Sequence, residues 1–200
     1  MALELIDGGR WGDEAELVSA CRRRDPAAER ALFRREYPRV NATVYRLLGS
    51  TADADDVVQD TFVAVFQGLA RFRGEARLST WIDRIAVRVV FQHVRARRGT
   101  PLPLELVRDV GDDRAPVDDH VGARDGLRRL YQVLAALRPE MRIAFALHAI
   151  DGRPIAEVSR LVGASLVATK VRIWRARREL ERRAAADAVL RAYLAGEAAP

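Results

Sequence analysis

An all-α fold of two small helical domains joined by a flexible acidic linker is predicted by three observations. Nearly every periodic stretch repeats its apolar residues at i, i+3, i+4 and i+7, the spacing of one buried helix face, and no alternating, strand-like stretch stands out. One segment without sustained period, "GTPLPLELVRDVGDDRAPVDDHVG", interrupts these helices in mid-chain with three prolines and three glycines. Charge divides the chain in the same way: residues 1–14 carry −3, 15–98 carry +6, 99–124 carry −3 and 125–200 carry +6. The expected organisation is an N-terminal tail (1–14), a first helical domain (15–98), an acidic linker (99–124), a second helical domain (125–183) and a C-terminal extension (184–200).

Each element carries its own signals. "DPAAERALFRREYPRVNATVYRLLG" starts with Asp25 as N-cap and Pro26 at the first helical position, and ends at Gly49. Pro38 inside it is expected to kink or interrupt the helix. "TADADDVVQDTFVAVFQGLARF" aligns Val58, Phe62, Val65 and Leu69 on one stripe, with Ser50 or Asp53 available as cap. "STWIDRIAVRVVFQHVRARR" repeats the pattern with Ile82, Ile85, Ala86, Val89, Val90 and Val94. After the linker come "RDGLRRLYQVLAAL" and "PEMRIAFALHAI", then "PIAEVSRLVGASLVATKVRIWRAR", which has the outline of a helix-turn-helix. There Pro154 opens the first helix, Gly163 breaks it and Ser165 caps the second, with Val158, Leu161, Leu166 and Val171 expected as the small core. The extension is expected to be a frayed tail; the alternative is a short amphipathic helix of Val189, Leu190, Tyr193 and Leu194, docked on the second domain or on a regulator.

Composition removes several function classes. Cys21 is the only cysteine, so no internal disulfide forms and a reducing compartment is expected. His93, His120 and His148 have no zinc-ligand spacing, and no metal or cofactor is expected. No apolar run approaches the ~20 residues that span a bilayer, and no secretory start is visible, so a cytoplasmic chain without membrane insertion is expected. The pI near 10.3 leaves polyanion binding and an arginine-rich solvated surface both open.

Within this basic chain, "DADDVVQDTF" concentrates four carboxylates. At about 100° per residue, Asp56, Asp60 and Val63 fall opposite the Val58 stripe, with Asp55 near the core edge. Capping accounts for acids in the first turn but not for Asp60 or for an outward Val63. A metal or acid/base site needs groups converging from several elements, and none is placed to help. A docking face for a cationic partner explains more of the pattern. On the following helix, Trp81, Arg84, Arg88, Phe91, Gln92 and Arg95 turn away from the Ile/Val stripe. Aromatics interleaved with arginines suit unpaired bases, which stack on rings at ~1–3 kcal/mol each while arginines hold phosphates. Packing of Trp81 and Phe91 against neighbouring helices is the competing explanation. The second helix of the helix-turn-helix carries Lys170, Arg172, Arg175, Arg177 and Arg178, as a major-groove helix requires.

These segments, in this order, resemble the extracytoplasmic-function group of the bacterial sigma-70 family. "DADDVVQDTFVAVF" and "RFRGEARLSTWIDRIAVRVVFQHVRARR" are similar to its region 2, and "LRPEMRIAFALHAIDGRPIAEVSRLVGASLVATKVRIWRARREL" to its region 4. The resemblance implies an alternative sigma factor without catalysis of its own, which binds core RNA polymerase and directs promoter recognition and melting. Asp55, Asp56, Gln59, Asp60 and Val63 would then contact the clamp helices of the largest polymerase subunit. The loop Phe72–Ser79, including Arg73 and Arg77, would capture a base flipped from the −10 element, and Trp81, Arg84, Arg88 and Gln92 would face the opened strand. The segment Ser165–Arg177 would sit on the −35 element through Ser165, Val167, Ala168, Lys170, Arg172, Arg175 and Arg177. The acidic linker would thread the channel later taken by RNA, its carboxylates imitating phosphate. An anti-sigma partner, covering the docking helix or wedged between the domains, is also implied.

The chain departs from the family pattern where Val167, Ala168 and Thr169 replace Gly-Thr-Val, so base choice at −35 does not transfer. Trp174, in place of a histidine, is expected to pack inward or against a partner. Two rival functions remain at this level. A helix-turn-helix regulator acting without polymerase predicts a dimer on a palindrome, and a metal-dependent nuclease would use Asp53, Asp56 and Asp60.

Overall fold

The computed structural model describes residues 13–49, 53–97 and 117–195, with side chains from 124 onward in the last segment. Nine α-helices occur among these residues, in two bundles. The first comprises α1 (Glu14–Arg22), α2 (Pro26–Leu48), α3 (Ala54–Gly68), a 3-10 turn (Leu69–Arg71) and α4 (Leu78–Ala96). Leu17 of α1, Leu32, Val40 and Leu47 of α2, Val58, Phe62 and Val65 of α3, and Ile82, Val90 and Val94 of α4 are buried together.

Local signals set most of these boundaries. Asp25 accepts from the backbone N–H of Ala27 at 2.8 Å and of Ala28 at 3.4 Å, which satisfies orphan donors at the start of α2. Gly49 ends α2 with φ +65°, and its N–H donates to Tyr45 O at 2.7 Å. Pro38 does not interrupt α2, which continues through it to Leu48. Both halves are anchored in the same core, Leu32 before the proline and Val40 and Val44 after it, and that burial offsets the lost hydrogen bond. Asp53 occupies the N-cap position of α3 but makes no capping bond; its carboxylate turns inward to Arg97, with His93 Nε2 at 3.5 Å. Ser50, the other proposed cap, lies outside the described residues. The start of α4 is satisfied from a distance, by Glu14 Oε1 accepting from Leu78 N–H at 3.1 Å.

The second bundle comprises α5 (Val117–Ala136), α6 (Pro139–Phe145) with a π turn (Ala146–Ile150), α7 (Ile155–Leu161), α8 (Leu166–Ala184) and α9 (Ala188–Ala195). Helix α5 begins inside the segment expected to be linker, whose residues 99–116 lie outside the described part, as do tail residues 1–12. Within the C-terminal extension, residues 188–195 form a docked helix rather than the expected frayed tail. Asp187 accepts from Leu190 N–H at 3.0 Å and pairs with Arg129 at 2.8 Å, while Leu190 is buried and Tyr193 packs where a side chain on Gly126 would stand.

The two bundles pack against each other, α2 and α4 facing α6, α7 and the π turn. Tyr131 Oη donates to Arg46 O at 2.6 Å, and its ring lies so near Gly49 that a Cβ there would stand 2.1 Å from it. Arg142 donates to Leu48 O at 3.0 Å, and burial pulls its pKa down to about 10. Arg153 holds Asp83, Asp151, Glu157 and Thr43 at once. Burial alone would lower its pKa, but its bonds to Asp151 and Asp83 outweigh this and raise it.

Candidate functional surfaces

Helix α3 separates its residues cleanly. Val57, Val58, Thr61, Phe62 and Val65 face the core, and Asp55, Asp56, Gln59, Asp60 and Val63 are all exposed. Asp55 therefore belongs to the outer ridge and not to the core edge. The three aspartates make no ion pair among the described residues, although α2 and α4 are rich in arginine, so the ridge presents uncompensated negative charge around an apolar Val63 that is 48% exposed. Asp53 is not part of this ridge, and no group of three His, Cys, Asp or Glu side chains suited to a metal occurs among the described residues. Beside the ridge lies an aromatic patch that periodicity did not reveal. Phe33 is partly exposed, with its ring centroid 4.6 Å from that of Phe62 and 5.2 Å from that of Tyr37, and Phe66 lines the same open groove of about 300 Å³. It was missed because Phe33 lies on α2, and only helix packing brings it beside α3.

The second surface is the loop before α4 and the outer face of α4. Arg73 and Arg77 are exposed, and Ser79 is half-buried with its carbonyl accepting from Arg39 at 3.3 Å. Phe72 is withdrawn from the exposed set: it is 8% exposed, its ring centroid is 5.2 Å from that of Trp81, and its carbonyl is held by Arg22. Trp81 is half-buried, packed on Gly68 closely enough that a Cβ there would stand 3.1 Å from the indole. An open pocket of about 820 Å³ lies between this loop and α1, lined by Val18, Arg22, Phe72 and Arg73 among others. Along α4, Arg84, Arg88 and Gln92 are exposed at four-residue spacing, with Phe91 half-buried beside them.

In the third surface, α7, a turn and α8 form the expected helix-turn-helix. Gly163 has φ +62°, and Ser165 Oγ accepts from Ala168 N–H at 3.1 Å. The core assignment of Leu166 and Val171 is corrected: they are 45% and 40% exposed. The buried face of α8 is instead Thr169, Ile173, Ala176 and Leu180, with Thr169 tolerated because its hydroxyl donates to Ser165 O at 2.9 Å. Val167, Lys170, Trp174, Arg175, Arg177 and Arg178 are exposed, and Ala168 and Arg172 are half-buried. Trp174 does not pack inward; it is 61% exposed with the Arg178 guanidinium 6.0 Å from its ring centroid.

Two of these surfaces face one another. Across a cleft of about 410 Å³, Arg84, Arg88 and Phe91 of α4 meet Arg160 of α7 and Arg172 of α8, with Glu140 of α6 between them. No local sequence signal pointed to this juxtaposition, because it depends on how the bundles dock.

Residues 32–100 match the family model for sigma-70 region 2, and residues 127–180 match the model for sigma-70 region 4. The extracytoplasmic-function sigma factor SigM of Mycobacterium tuberculosis is 32% identical over 177 residues, covering 88% of this chain and 87% of SigM. The chain belongs to the extracytoplasmic-function group of the sigma-70 family. SigG of M. tuberculosis is 32% identical over 191 residues, but this sigma-family chain spans only about half of it, 51%. Among solved structures, CnrH in complex with the cytosolic domain of CnrY has a TM-score of 0.57 at 28% identity, covering 86% of this chain and 97% of CnrH. M. tuberculosis SigJ has a TM-score of 0.52 at 29% identity, covering 75% of this chain and 52% of SigJ. In family terms α3 and α4 lie in region 2 and α6 to α8 in region 4, while α1 precedes the first matched segment and α9 follows the second. Among the described residues no helix is long and apolar enough to cross a membrane.

Proposed function

We propose that this chain is an alternative sigma factor that binds core RNA polymerase and directs promoter recognition, melting and transcription initiation, with no catalysis of its own. The observation that carries the reading is the α3 ridge: three unpaired aspartates and an exposed valine on the outer face of a helix in a basic protein. A solvated helix has no need of that combination, whereas a partner helix with basic and apolar side chains would cover all of it. The clamp helices of the largest polymerase subunit are the surface the family relationship supplies for Asp55, Asp56, Gln59, Asp60 and Val63.

Promoter contacts follow from the two basic surfaces. Arg73, Arg77, Trp81, Arg84, Arg88 and Gln92 are assigned to the −10 strand, and the open pocket between the loop and α1, lined by Phe72 and Arg73 but also by Asp13 and Glu14, is assigned to an extruded base. Phe72 forms a wall of that pocket instead of reaching into solvent. Helix α8 is assigned to the −35 duplex, entering by Ser165, Val167, Ala168 and Lys170 and gripping backbone with Arg172, Arg175 and Arg177. Both contacts weaken steeply with salt, because arginines displace condensed counterions. CnrH was captured with the cytosolic domain of CnrY, and for this chain an anti-sigma protein is assigned as a further partner.

Run-off transcription reconstituted from purified core polymerase and the full chain tests the reading. Promoter-dependent transcripts that vanish with Asp60→Arg support it. Absence of any association with core enzyme would overturn it.

A further inference from the structure

Seen down its axis, α8 has three longitudinal strips. Thr169, Ile173, Ala176 and Leu180 are buried in the second bundle. Directly opposite, at about 100° per residue, Val167, Val171 and Trp174 form one exposed apolar strip, with Val167 71% exposed. Lys170 and Arg177 flank this strip on one edge and Arg175 on the other, all exposed. Apolar side chains in the middle of a helix face, bordered by cations on both sides, match a duplex groove: phosphate strands along two edges and base edges along the centre.

The first two turns of α8 therefore carry an unusual reading head. Valine has no donor or acceptor, so it recognises neither the N7 and O6 acceptors of guanine nor the N4 amine of cytosine. Pressed onto those groups it would strip them of water and leave them unpaired, which is costly. The one apolar group on the major-groove floor is the C5-methyl of thymine. We infer that Val167 and Val171 are specificity residues that select A·T pairs in the −35 element by packing on thymine methyls, while Lys170, Arg175 and Arg177 hold the flanking phosphates. The inference rests on the placement of α8 in the major groove and adds the chemistry by which it reads bases. Trp174 lies one turn further along the strip and is not required for the readout.

The test uses holoenzyme assembled from core polymerase and the full chain, with promoter duplexes randomised over the upstream element. Enriched sequences are expected to contain thymines at two positions within one stretch of groove. Replacing each of these thymines with deoxyuridine removes only the methyl and is expected to weaken binding about fourfold, the worth of one buried methyl group. Val167→Ser should abolish the thymine-over-uracil preference at one position and Val171→Ser at the other; both residues are exposed, so folding is preserved. Equal affinity for thymine and uracil duplexes, or a preference that survives both valine variants, overturns the inference and leaves the strip as a protein-binding face. If Lys170→Ala leaves both affinity and its salt dependence unchanged, or no upstream sequence is enriched, the groove placement itself fails and the inference with it.

Discussion

Arg153 Nη1 donates to Asp83 Oδ2 at 2.8 Å, tying the helix-turn-helix bundle to the helix that carries the arginine row. Asp83 also pairs with Arg39, and Arg153 also holds Asp151 at 2.6 Å and Glu157 at 2.7 Å. Asp83 and Asp151 are almost fully buried, so each carboxylate has left water and depends on these partners. Arg39–Asp83 lies inside the first bundle and Arg153–Asp151 inside the second, whereas Arg153–Asp83 and Arg46–Asp151 form only while the bundles are docked. Docked, they bring Arg84 and Arg88 to within one narrow cleft of Arg172.

Arg153→Leu removes the shared cation: Asp83 keeps Arg39 inside the first bundle, while Asp151 is left with Arg46 alone, a cross-bundle pair that goes when the bundles part. Each bundle is expected to remain folded while the docking between them is lost. Small-angle scattering should report a larger radius of gyration, and helical content by circular dichroism should stay constant. An unchanged radius would show that Tyr131, Arg142 and the Arg46–Asp151 pair suffice to hold the arrangement.

Asp60→Arg reverses charge at an exposed position with no intramolecular partner among the described residues. Stability is expected to change by no more than about 0.5 kcal/mol. Association with core polymerase in a pull-down should fall to background. Retained association at normal stability would remove Asp60 from the docking face.

Leu190→Ala probes α9. Leu190 is buried between α5 and α8, and its truncation is expected to destabilise the second bundle by about 2–5 kcal/mol. Denaturant unfolding monitored on that bundle checks this. A change near zero would return residues 184–195 to the status of a dispensable tail.

Cys21 is buried, and burial first, then Glu29 and Asp25, push its thiol up to about 11. The raised value keeps the neutral thiol across the physiological range, so thiolate appears only as pH climbs toward 11. At pH 8 the folded chain is expected to react with a thiol reagent at under a tenth of the rate measured in denaturant. Equal rates would mean that α1 opens readily.

Much of this molecule could be read one residue at a time. Asp25 with Pro26 and Gly49, and Ser165 with Gly163, mark helix ends through atoms only a few positions away, so their meaning survives without the rest of the fold. The same holds for the α3 ridge, where Asp56, Asp60 and Val63 are set opposite Val58 by helical geometry alone. What required the tertiary structure is whatever depends on a distant neighbour. Leu166 and Val171 look like core residues until Ile173 and Ala176 are found to occupy the buried face, and nothing local tells that Phe72 packs on Trp81. Asp53 looks like a cap until Arg97 claims it. Helix α9 and the Arg153–Asp83 tie belong to the same class. Caps and periodicity are local energies written into adjacent residues, whereas burial and ion pairing are decided by which surfaces meet, and that choice is made between segments far apart in the chain.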